Sequence, residues 1–380
     1  MSIRNNNLGS INKPGFNALG AQTNVTTYTY ELWTWGQNNN GQGGLGNTVN
    51  KSSPNQVGAL TTWKTVSATG GNYFSAAVKT DGTLWTWGQN NNGQLGLGNT
   101  AYYSSPVQVG ALTAWLSVSA GYAHTLAIKT DNTLWAIGGR NQKGQLGLGN
   151  VTAYSSPVQV GALTNWLTVS AGGYRCSAIK TDGTLWTWGY NNAGQLGLGN
   201  TVDKSSPNQV GALTTWLKVA GIYHTIAIKT DGTLWSWGAN GSGELGLGNT
   251  TSYSSPKQVG ALTTWATLAT GSNFTLAINT NGALWSWGRA AQAQLGLGNI
   301  TDYSSPKQIG ALTNWSTVSA GTYHGMAINT NGALYAWGSN SYGQIGDGTT
   351  TVRSSPVQVG ALTTWLITVG GYSNTIALKY

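Results

Sequence analysis

The chain of 380 residues is long enough to bury a large core without the support of disulfides or metals. Its many Gly, Trp and Tyr residues and its 7% content of charged residues favour short strands joined by tight turns, and they disfavour long helices. The formal net charge of +9 comes from 18 basic and 9 acidic residues spread along the chain without a basic cluster, which argues against a nucleic-acid-binding protein.

The segment of residues 1–28 has too few apolar side chains to fold alone, and we predict an N-terminal extended arm there. Its candidate anchors and its turn are Leu8, Ile11, Pro14, Phe16 and Leu19. The arm has no continuous apolar core, so a secretory signal is not expected. No stretch of the chain approaches the length of a transmembrane helix, so membrane insertion is not expected either.

From residue 29 onward the chain repeats itself with a period of about fifty residues. A Leu-aromatic pair recurs at intervals of 49 to 52 residues, and each pair is followed by Ser-Ser-Pro and then by Gly-Ala-Leu-Thr. The pairs are Leu32-Trp33, Leu84-Trp85, Leu134-Trp135, Leu185-Trp186, Leu234-Trp235, Leu284-Trp285 and Leu334-Tyr335. Seven copies of every motif predict seven structural units.

Each unit contains four short, partly alternating runs. In one unit they lie at residues 115–121, 124–129, 134–135 and 155–160, separated by Gly, Asn, Asp or Pro. Runs of this kind indicate four antiparallel strands, which together make one propeller blade. The predicted fold class is therefore all-β: a seven-bladed β-propeller with four-stranded antiparallel blades over residues 29–380.

Six of the units carry a turn signal between their second and third runs. Asp-Gly and Asn-Gly pairs such as Asp81-Gly82 supply the positive φ angles of a two-residue type I′ hairpin, and Asp131-Asn132 can do the same. A lysine recurs beside several of these turns, as at Lys79. We expect these lysines to be solvated strand ends.

The two ends of the repeat region complement each other. The last unit stops at Tyr380, before a hairpin, and the first strand at residues 28–33 lacks the hairpin that should precede it. We predict that these ends pair in one blade, with two strands from each end. Such pairing closes the ring and removes the exposed strand edges of an open array.

The recurring tryptophans point to packing. Strand alternation places Trp33 and Trp35 on one face of their strand, and Leu32 and Thr34 on the other. The same residues recur at the same positions in nearly every repeat. We therefore expect the tryptophans to pack against the next blade rather than to stack on carbohydrate.

Residues 118–129 read Val-Ser-Ala-Gly-Tyr-Ala-His-Thr-Leu-Ala-Ile-Lys, and Gly-Gln-Leu-Gly-Leu-Gly follows at residues 144–149. This unit resembles the repeat of the regulator of chromosome condensation family, and the resemblance extends over residues 29–380. It implies the propeller fold but no single function. The family's histidine position departs from the pattern in several repeats, and it is occupied in turn by Phe74, His124, Arg175, His224, Phe274, His324 and Asn374.

The leader at residues 5–20 is rich in Asn, Gly and Pro, and it runs into repeats of low charge. This combination is similar to virion proteins of marine tailed phages in which repeats of this kind occur. The resemblance implies a structural protein of a phage particle. In that setting we expect the arm to contact other virion proteins and the propeller to be displayed.

The residues that could carry catalysis are scarce. The nine acidic residues form no repeated pair suited to acid–base work, and no phosphate-binding loop precedes a helix. Cys176 is the single cysteine, so no intrachain disulfide is expected, and we interpret it as a packed side chain rather than a reactive thiol. His124, His224 and His324 lack metal-ligand spacing, and we expect bonds to neighbouring backbone. We predict no catalytic residue, no metal and no cofactor.

Two sets of positions differ between repeats and are the candidate partner-binding residues, although neutral drift of surface loops explains them equally well. The first set follows Trp-Gly or its equivalent and includes Arg140, Asn141, Lys143, Tyr190, Asn191, Asn240, Arg289 and Tyr342. The second set precedes Ser-Ser-Pro and includes Tyr103, Tyr154, Tyr253 and Tyr303.

Three classes of function stay open. The first is a non-enzymatic virion protein that decorates the capsid or serves in tail and host adhesion, with a host-surface glycan or protein as partner. The second is a secreted bacterial binding module at the cell surface or outside the cell, which the missing signal disfavours. The third is guanine-nucleotide exchange on a small GTPase, as in the family's namesake. That activity needs placed acidic residues, in which this chain is poor.

Overall fold

The fold consists of β-strands throughout the part of the chain that is described. The computed structural model of the chain describes residues 30–68 and 73–380. The predicted arm at residues 1–28, with Leu8, Ile11, Pro14, Phe16 and Leu19, lies outside the described residues. No helix among the described residues is long and apolar enough to cross a bilayer.

The strands, in chain order, are as follows. The first two are β1 (Glu31–Gly36) and β2 (Lys51–Gln56). Three groups of four follow: β3 (Trp63–Ser67), β4 (Phe74–Lys79), β5 (Leu84–Gly88), β6 (Tyr103–Gln108); β7 (Trp115–Ala120), β8 (Thr125–Lys129), β9 (Leu134–Gly138), β10 (Tyr154–Gln159); β11 (Trp166–Ala171), β12 (Arg175–Lys180), β13 (Leu185–Gly189), β14 (Lys204–Gln209). The next groups are β15 (Trp216–Ala220), β16 (His224–Lys229), β17 (Leu234–Gly238), β18 (Tyr253–Gln258); β19 (Trp265–Thr270), β20 (Phe274–Asn279), β21 (Leu284–Gly288), β22 (Tyr303–Gln308); β23 (Trp315–Ala320), β24 (His324–Asn329), β25 (Leu334–Gly338), β26 (Arg353–Gln358). The last two are β27 (Trp365–Gly370) and β28 (Asn374–Lys379).

These strands form seven four-stranded antiparallel sheets, which confirms the predicted propeller. Six sheets each contain four consecutive strands, beginning with β3–β6 and ending with β23–β26, and we number them blades 1 to 6. The seventh sheet has the order β2-β1-β28-β27 and is blade 7. In it Leu32 pairs with Leu378 and Trp35 pairs with Thr375. The predicted closure by two strands from each end is therefore confirmed.

The first strand of each blade lies innermost, around the axis of the ring. First strands of successive blades contact one another from β3 round to β27, whereas the fourth strands have no such neighbours. The second strand is the most deeply buried, and β4, β12, β16 and β24 are buried over their whole length. The loops at the ends of the inner strands are consequently those that surround the axis.

Tryptophans fill the spaces between blades, as predicted, but they face the preceding blade rather than the next one. Trp188 of blade 3 packs in one cluster with Leu126, Leu134 and Leu146 of blade 2. Its Nε1 donates a hydrogen bond of 3.0 Å to the Gln145 carbonyl oxygen. Leu185, on the other face of the same strand, packs with blade 4. The alternation of faces was correct and the direction of packing was wrong.

In most blades, one backbone carbonyl of the Gly-Gln-Leu-Gly motif or its equivalent accepts hydrogen bonds from the next blade. The Glu244 carbonyl oxygen accepts hydrogen bonds from Trp287 Nε1 at 3.0 Å and from Thr275 Oγ1 at 2.9 Å, both in the next blade. Other tryptophans that donate in this way are Trp35, Trp87, Trp188, Trp237 and Trp337. Because these groups are buried, the bonds hold each blade at one register against its neighbour.

The predicted two-residue type I′ hairpins are wrong. Gly82 N donates to Lys79 O, and Lys79 N donates to Thr83 O, so three residues form the loop. Gly82 has a φ of 77°, whereas Asp81 does not have a positive φ. This is a type I turn followed by a left-handed residue in a bulge, the usual three-residue hairpin. Asn132, with a φ of 59°, replaces the glycine in blade 2.

The lysines beside these turns are not the solvated strand ends that we expected. Lys79, Lys180 and Lys229 are buried, with 5–7% of their surface exposed. The Lys79 ammonium lies 3.6 Å from the ring centroid of Trp85 and 4.9 Å from that of Trp63. Burial lowers the pKa of these three lysines below the usual range. Two indole faces stabilise each cation in place of water.

Candidate ligand-binding face

The two ends of the propeller carry different loops. One end carries two connections from each blade: the one between the first and second strands, and the one between the third and fourth strands. In blade 1, for example, Gly88 at the end of the third strand pairs with Phe74 and Tyr103, which begin the second and fourth strands. At the other end lie the hairpins and the connections between blades, which meet where Trp115 N donates to Gly82 O. We call the first end the tyrosine face and the second end the leucine face, after the residues described next.

The leucine face repeats itself almost without change. Every connection between blades contains Gly-Ala-Leu-Thr, and its leucine is 44–52% exposed. These leucines are Leu60, Leu112, Leu163, Leu213, Leu262, Leu312 and Leu362. The first and last described residues, Tyr30 and Tyr380, also meet at this end, with ring centroids 5.7 Å apart.

The tyrosine face gathers aromatic side chains around the axis. Six of the seven blades place a tyrosine in the turn between their first and second strands: Tyr73, Tyr122, Tyr174, Tyr223, Tyr323 and Tyr372. The ring centroids of Tyr73 and Tyr372 are 5.1 Å apart, and those of Tyr122 and Tyr174 are 5.2 Å apart. Burial and then the neighbouring phenols raise the pKa of Tyr73 and Tyr372. These hydroxyls are therefore protonated donors at neutral pH.

Sequence reasoning missed this tyrosine cluster. The tyrosine has no fixed place in the repeat, because it stands one residue before the histidine position in some blades, as at Tyr174, and two residues before it in others, as at Tyr122. A search for any aromatic residue within this turn would have found the set. The fifth blade is the exception, because Asn273 occupies the position.

Two of the predicted partner-binding residues, Arg140 and Tyr190, contact the tyrosine cluster directly, and the ring centroid of Tyr190 lies 6.4 Å from that of Tyr174. The Arg140 guanidinium lies 5.5 Å from the ring centroid of Tyr122 and 5.6 Å from that of Tyr174, and its Nη1 donates a 3.0 Å hydrogen bond to the Tyr174 hydroxyl. Lys143 lies 5.0 Å from the ring centroid of Tyr190 and 3.2 Å from an Asp203 carboxylate oxygen. The loops of blades 2 and 3 thus extend the aromatic surface outward.

Arg289 and Tyr342, from the same predicted set, lie on the opposite side of the axis. Both line an open cleft of about 330 Å³ together with Tyr323 and Tyr372. The Arg289 side chain is exposed, and Tyr342 is 38% exposed. The structure therefore brings the charged and aromatic members of the first predicted set to one end of the propeller.

Three other members of that set are not on the loop surface as we expected. Asn141, Asn191 and Asn240 are buried, with at most 1% of their surface exposed. Each side chain bonds the backbone of its own loop; Asn240 Nδ2, for example, donates to the Asn249 and Thr251 carbonyls, and its Oδ1 accepts from Leu245 N. These asparagines hold the loop conformation and cannot contact a partner.

The second predicted set lies farther out, at the rim of the tyrosine face. Tyr103, Tyr154, Tyr253 and Tyr303 each begin a fourth, outermost strand and are half-buried. The Tyr103 hydroxyl accepts a 3.1 Å hydrogen bond from Asn99 Nδ2. The structure does not bring these tyrosines into the cluster at the axis, and their contact with a partner stays a prediction.

The histidines are structural, although they do not bond backbone as we expected. His224 Nε2 lies 2.8 Å from Thr275 Oγ1 of the next blade, and that hydroxyl donates to the Glu244 carbonyl. The imidazole is therefore the donor through Nε2. His324 bonds Thr375 in the same way. Burial lowers the pKa of His124 to about 4 and that of His224 and His324 to about 3, so all three are neutral at pH 7.

Arg175 and Cys176 complete this buried layer. Arg175 Nη2 donates a 2.9 Å hydrogen bond to the His224 carbonyl, and burial lowers its pKa to about 10. The Cys176 thiol lies 3.1 Å from His124 Nε2, and burial raises its pKa. Among residues 30–68 and 73–380, no three His, Cys, Asp or Glu side chains come close enough together to hold a metal ion.

Solved propellers share this fold. The chain superimposes on human WBSCR16 with a TM-score of 0.81 and 21% identity, covering 92% of this chain and 98% of that one. It superimposes on Prp20p from Saccharomyces cerevisiae with a TM-score of 0.82 and 20% identity, covering 92% and 91% of the two chains. Identity at this level shows the fold alone.

Curated relatives match part of the chain. The ultraviolet-B receptor UVR8 of Arabidopsis thaliana is 34% identical over 169 residues, which are 44% of this chain and 38% of that protein. The probable E3 ubiquitin-protein ligase HERC6 of Homo sapiens is 32% identical over 166 residues, which are 42% of this chain and 16% of that protein. The chain thus spans about two fifths of the length of the first of these relatives and less of the second.

Family models cover most of the sequence. The model of the RCC1-like domain matches residues 15–318, and two models of the regulator of chromosome condensation (RCC1) repeat match residues 315–344 and 331–378, respectively. The repeat period, the closed seven-bladed ring and these matches agree, and the chain belongs to the RCC1-like domain family.

Proposed function

We propose that this protein is a non-enzymatic binding protein of a phage particle that holds its partner on the tyrosine face. The observation that carries the proposal is the composition of that face. The residues that vary between blades, such as Arg140, Lys143, Arg289 and Tyr342, stand there around a cluster of tyrosines, whereas the rest of the ring repeats. Aromatic and arginine side chains presented by rigid loops are typical of recognition surfaces.

The polarity of the propeller supports separate roles for its two ends. Tyr30, the first described residue, lies at the leucine face, on the side opposite the tyrosine face. An assembly arm attached there leaves the tyrosine face free to point away from the particle. We therefore assign the contact with other virion proteins to the arm, and the contact with a host-surface glycan or protein to the tyrosine face.

The placement of the acidic residues supports the non-enzymatic assignment. Each of the nine carboxylates accepts a hydrogen bond from a residue of its own blade. Asp302, for example, accepts from Ala290 N, and Glu244 accepts from Ser242 N. These carboxylates are engaged in holding loops and turns.

The proposal can be tested on particles of the phage that encodes the chain. We expect mass spectrometry of purified particles to detect the full-length protein at a stoichiometric copy number. Deleting residues 2–27 is expected to leave a folded propeller that no longer joins the particle. A matched control is Lys307→Gln, an exposed change on the outermost strand of blade 5, which we expect to incorporate normally.

Three results would contradict this assignment. Incorporation of the arm-deleted protein at normal copy number would move the assembly contact onto the blades. Acceleration of nucleotide release from a small GTPase by the purified protein would favour the exchange-factor alternative instead. Absence of the protein from particles, together with its recovery outside host cells, would favour the secreted binding module.

A further inference from the structure

The cleft on the tyrosine face lies beside the blade whose inner turn carries no tyrosine. Blade 5 carries Asn273 in place of a tyrosine. The cleft lies between the loop that follows the third strand of blade 5 and the loops of blades 6 and 7. Its walls include Arg289 from blade 5, Tyr323 and Tyr342 from blade 6, and Tyr372 from blade 7. Its volume of about 330 Å³ is at the lower end of the range for small-ligand sites, which suits a single compact group.

The lining of the cleft is aromatic and polar without aliphatic side chains. Three tyrosines, three serines including Ser339 and Ser341, one glutamine and one arginine form it. A sugar ring presents C–H groups that pack on the negative face of an aromatic ring, and its hydroxyls need hydrogen-bond partners such as serine and glutamine. A peptide side chain of ordinary hydrophobicity would find no aliphatic surface here. The lining therefore favours a saccharide over a peptide.

The charge in the cleft comes from Arg289. Two other cations at this end are engaged: Arg140 donates to the Tyr174 hydroxyl, and Lys143 pairs with Asp203. Within the described part of the chain, the Arg289 guanidinium forms no ion pair or side-chain hydrogen bond, and no residue that lines the cleft is acidic. A guanidinium offers two parallel donors to a planar carboxylate.

We propose that this cleft binds the carboxylate-bearing sugar residue of an acidic glycan. Arg289 pairs with the carboxylate, the rings of Tyr342 and Tyr372 pack against the sugar, and the Ser341 and tyrosine hydroxyls bond its hydroxyl groups. Burial and the neighbouring phenols raise the pKa of Tyr372, which keeps its hydroxyl a donor. This inference rests on the proposed function, since it names the class of ligand for the tyrosine face.

The test uses the purified full-length chain and defined monosaccharide glycosides. Binding of methyl β-D-glucuronide and of a methyl sialoside is measured by ligand-observed NMR, with methyl β-D-glucoside as the neutral counterpart of the glucuronide. We expect at least one acidic glycoside to bind saturably and the glucoside to bind about tenfold more weakly or not at all, because it lacks the charge-assisted hydrogen bonds.

Two variants locate the binding. Arg289→Gln is expected to weaken binding of the acidic glycoside about tenfold or more, so that the protein no longer prefers it to the glucoside. Tyr342→Ala is expected to weaken binding of both glycosides. Lys307→Gln removes the same charge from an exposed position outside the cleft and is expected to change nothing. Because both substituted cleft residues are exposed, the variants are expected to fold, and their thermal melts serve as the check.

Several outcomes would overturn the inference. Failure of both acidic glycosides to bind, or equal binding of the glucoside, would exclude an acidic sugar as the ligand of the cleft. Saturable binding of a glutamate-rich peptide with the same Arg289 dependence, in the absence of glycoside binding, replaces the sugar by a protein ligand. Unchanged binding by Arg289→Gln places the site elsewhere. None of these results affects incorporation into particles, so the proposed function stands or falls separately.

Discussion

The leucine face and the tyrosine face are built from the same seven repeats, yet only one of them varies. On the leucine face the exposed leucine of Gly-Ala-Leu-Thr recurs in all seven blades. On the tyrosine face Arg140, Tyr190 and Arg289 occupy equivalent loop positions in three different blades. Positions that every blade shares belong to the repeated scaffold, and positions that differ are available for recognition. The contrast separates what holds the ring together from what it presents.

The strongest way to break the shared scaffold is to open the ring. Deleting residues 373–380 removes β28, the strand that joins β1 to β27 in blade 7. We expect loss of cooperative unfolding in urea, followed by tryptophan fluorescence, because two blade surfaces and two strand edges become exposed. The arm deletion of residues 2–27 is the control and is expected to unfold cooperatively. A truncated ring that melts like the intact protein would show that closure contributes little.

A repeated tryptophan is expected to matter more than a repeated exposed leucine. Trp287→Ala empties a buried inter-blade position and removes a hydrogen bond to the Glu244 carbonyl, so we expect a loss of about 3–5 kcal/mol in the free energy of unfolding. Leu262→Ala on the leucine face is the comparison, with an expected change within about 0.5 kcal/mol. Similar losses for both variants, measured by urea unfolding, would contradict the distinction between buried and exposed repeated residues.

The buried histidines predict a specific pH dependence of the shared scaffold. Their pKa values are about 3 to 4 in the folded chain and 6.5 in the unfolded chain. Below pH 6.5 the unfolded chain therefore takes up protons that the folded chain does not, and the free energy of unfolding falls as the pH drops towards 4. The steepest slope for three histidines is about 4 kcal/mol per pH unit.

The matched variant for this prediction comes from the chain itself. Blades 1 and 5 carry Phe74 and Phe274 at the histidine position. Replacing His124, His224 and His324 by phenylalanine is therefore expected to flatten the urea midpoint between pH 6.5 and pH 4. A slope that persists in the triple variant would assign it to other groups. The turn aspartates such as Asp81 have lowered pKa values, so their contribution is lost mainly below pH 3.8 and adds little over most of this window.

The smallest effects compare one residue from each end. Lys229→Asn copies blades 5 and 6, where Asn279 and Asn329 replace the lysine, and it removes a cation that lies 3.6 Å from the Trp235 ring centroid. We expect a loss of about 1–2 kcal/mol in the free energy of unfolding. Tyr342→Ala on the tyrosine face is expected to cost less than about 0.5 kcal/mol. A larger loss for Tyr342→Ala would make that tyrosine part of the scaffold.

Much of the fold was predictable because its signals are local and repeated. Asp-Gly turns, Ser-Ser-Pro segments and Leu-Trp pairs each occur at one spacing, so the strand count, the blade count and the closure by both ends follow from the order of residues. Local signals were less reliable for detailed geometry. The hairpin at Asp81-Gly82 has one residue more than predicted, because Thr80 and Asp81 form a type I turn before the left-handed glycine.

The candidate site depended on tertiary structure for a physical reason. Arg289, Tyr342 and Tyr372 belong to three blades and meet only because the inner strands converge on one axis. The same convergence sets His224 against the Thr275 hydroxyl of the next blade, a contact between residues 51 positions apart. The sequence by itself determined the repeated unit and the number of blades. Which side chains share a surface was decided by the packing of one blade on another, which no single repeat contains.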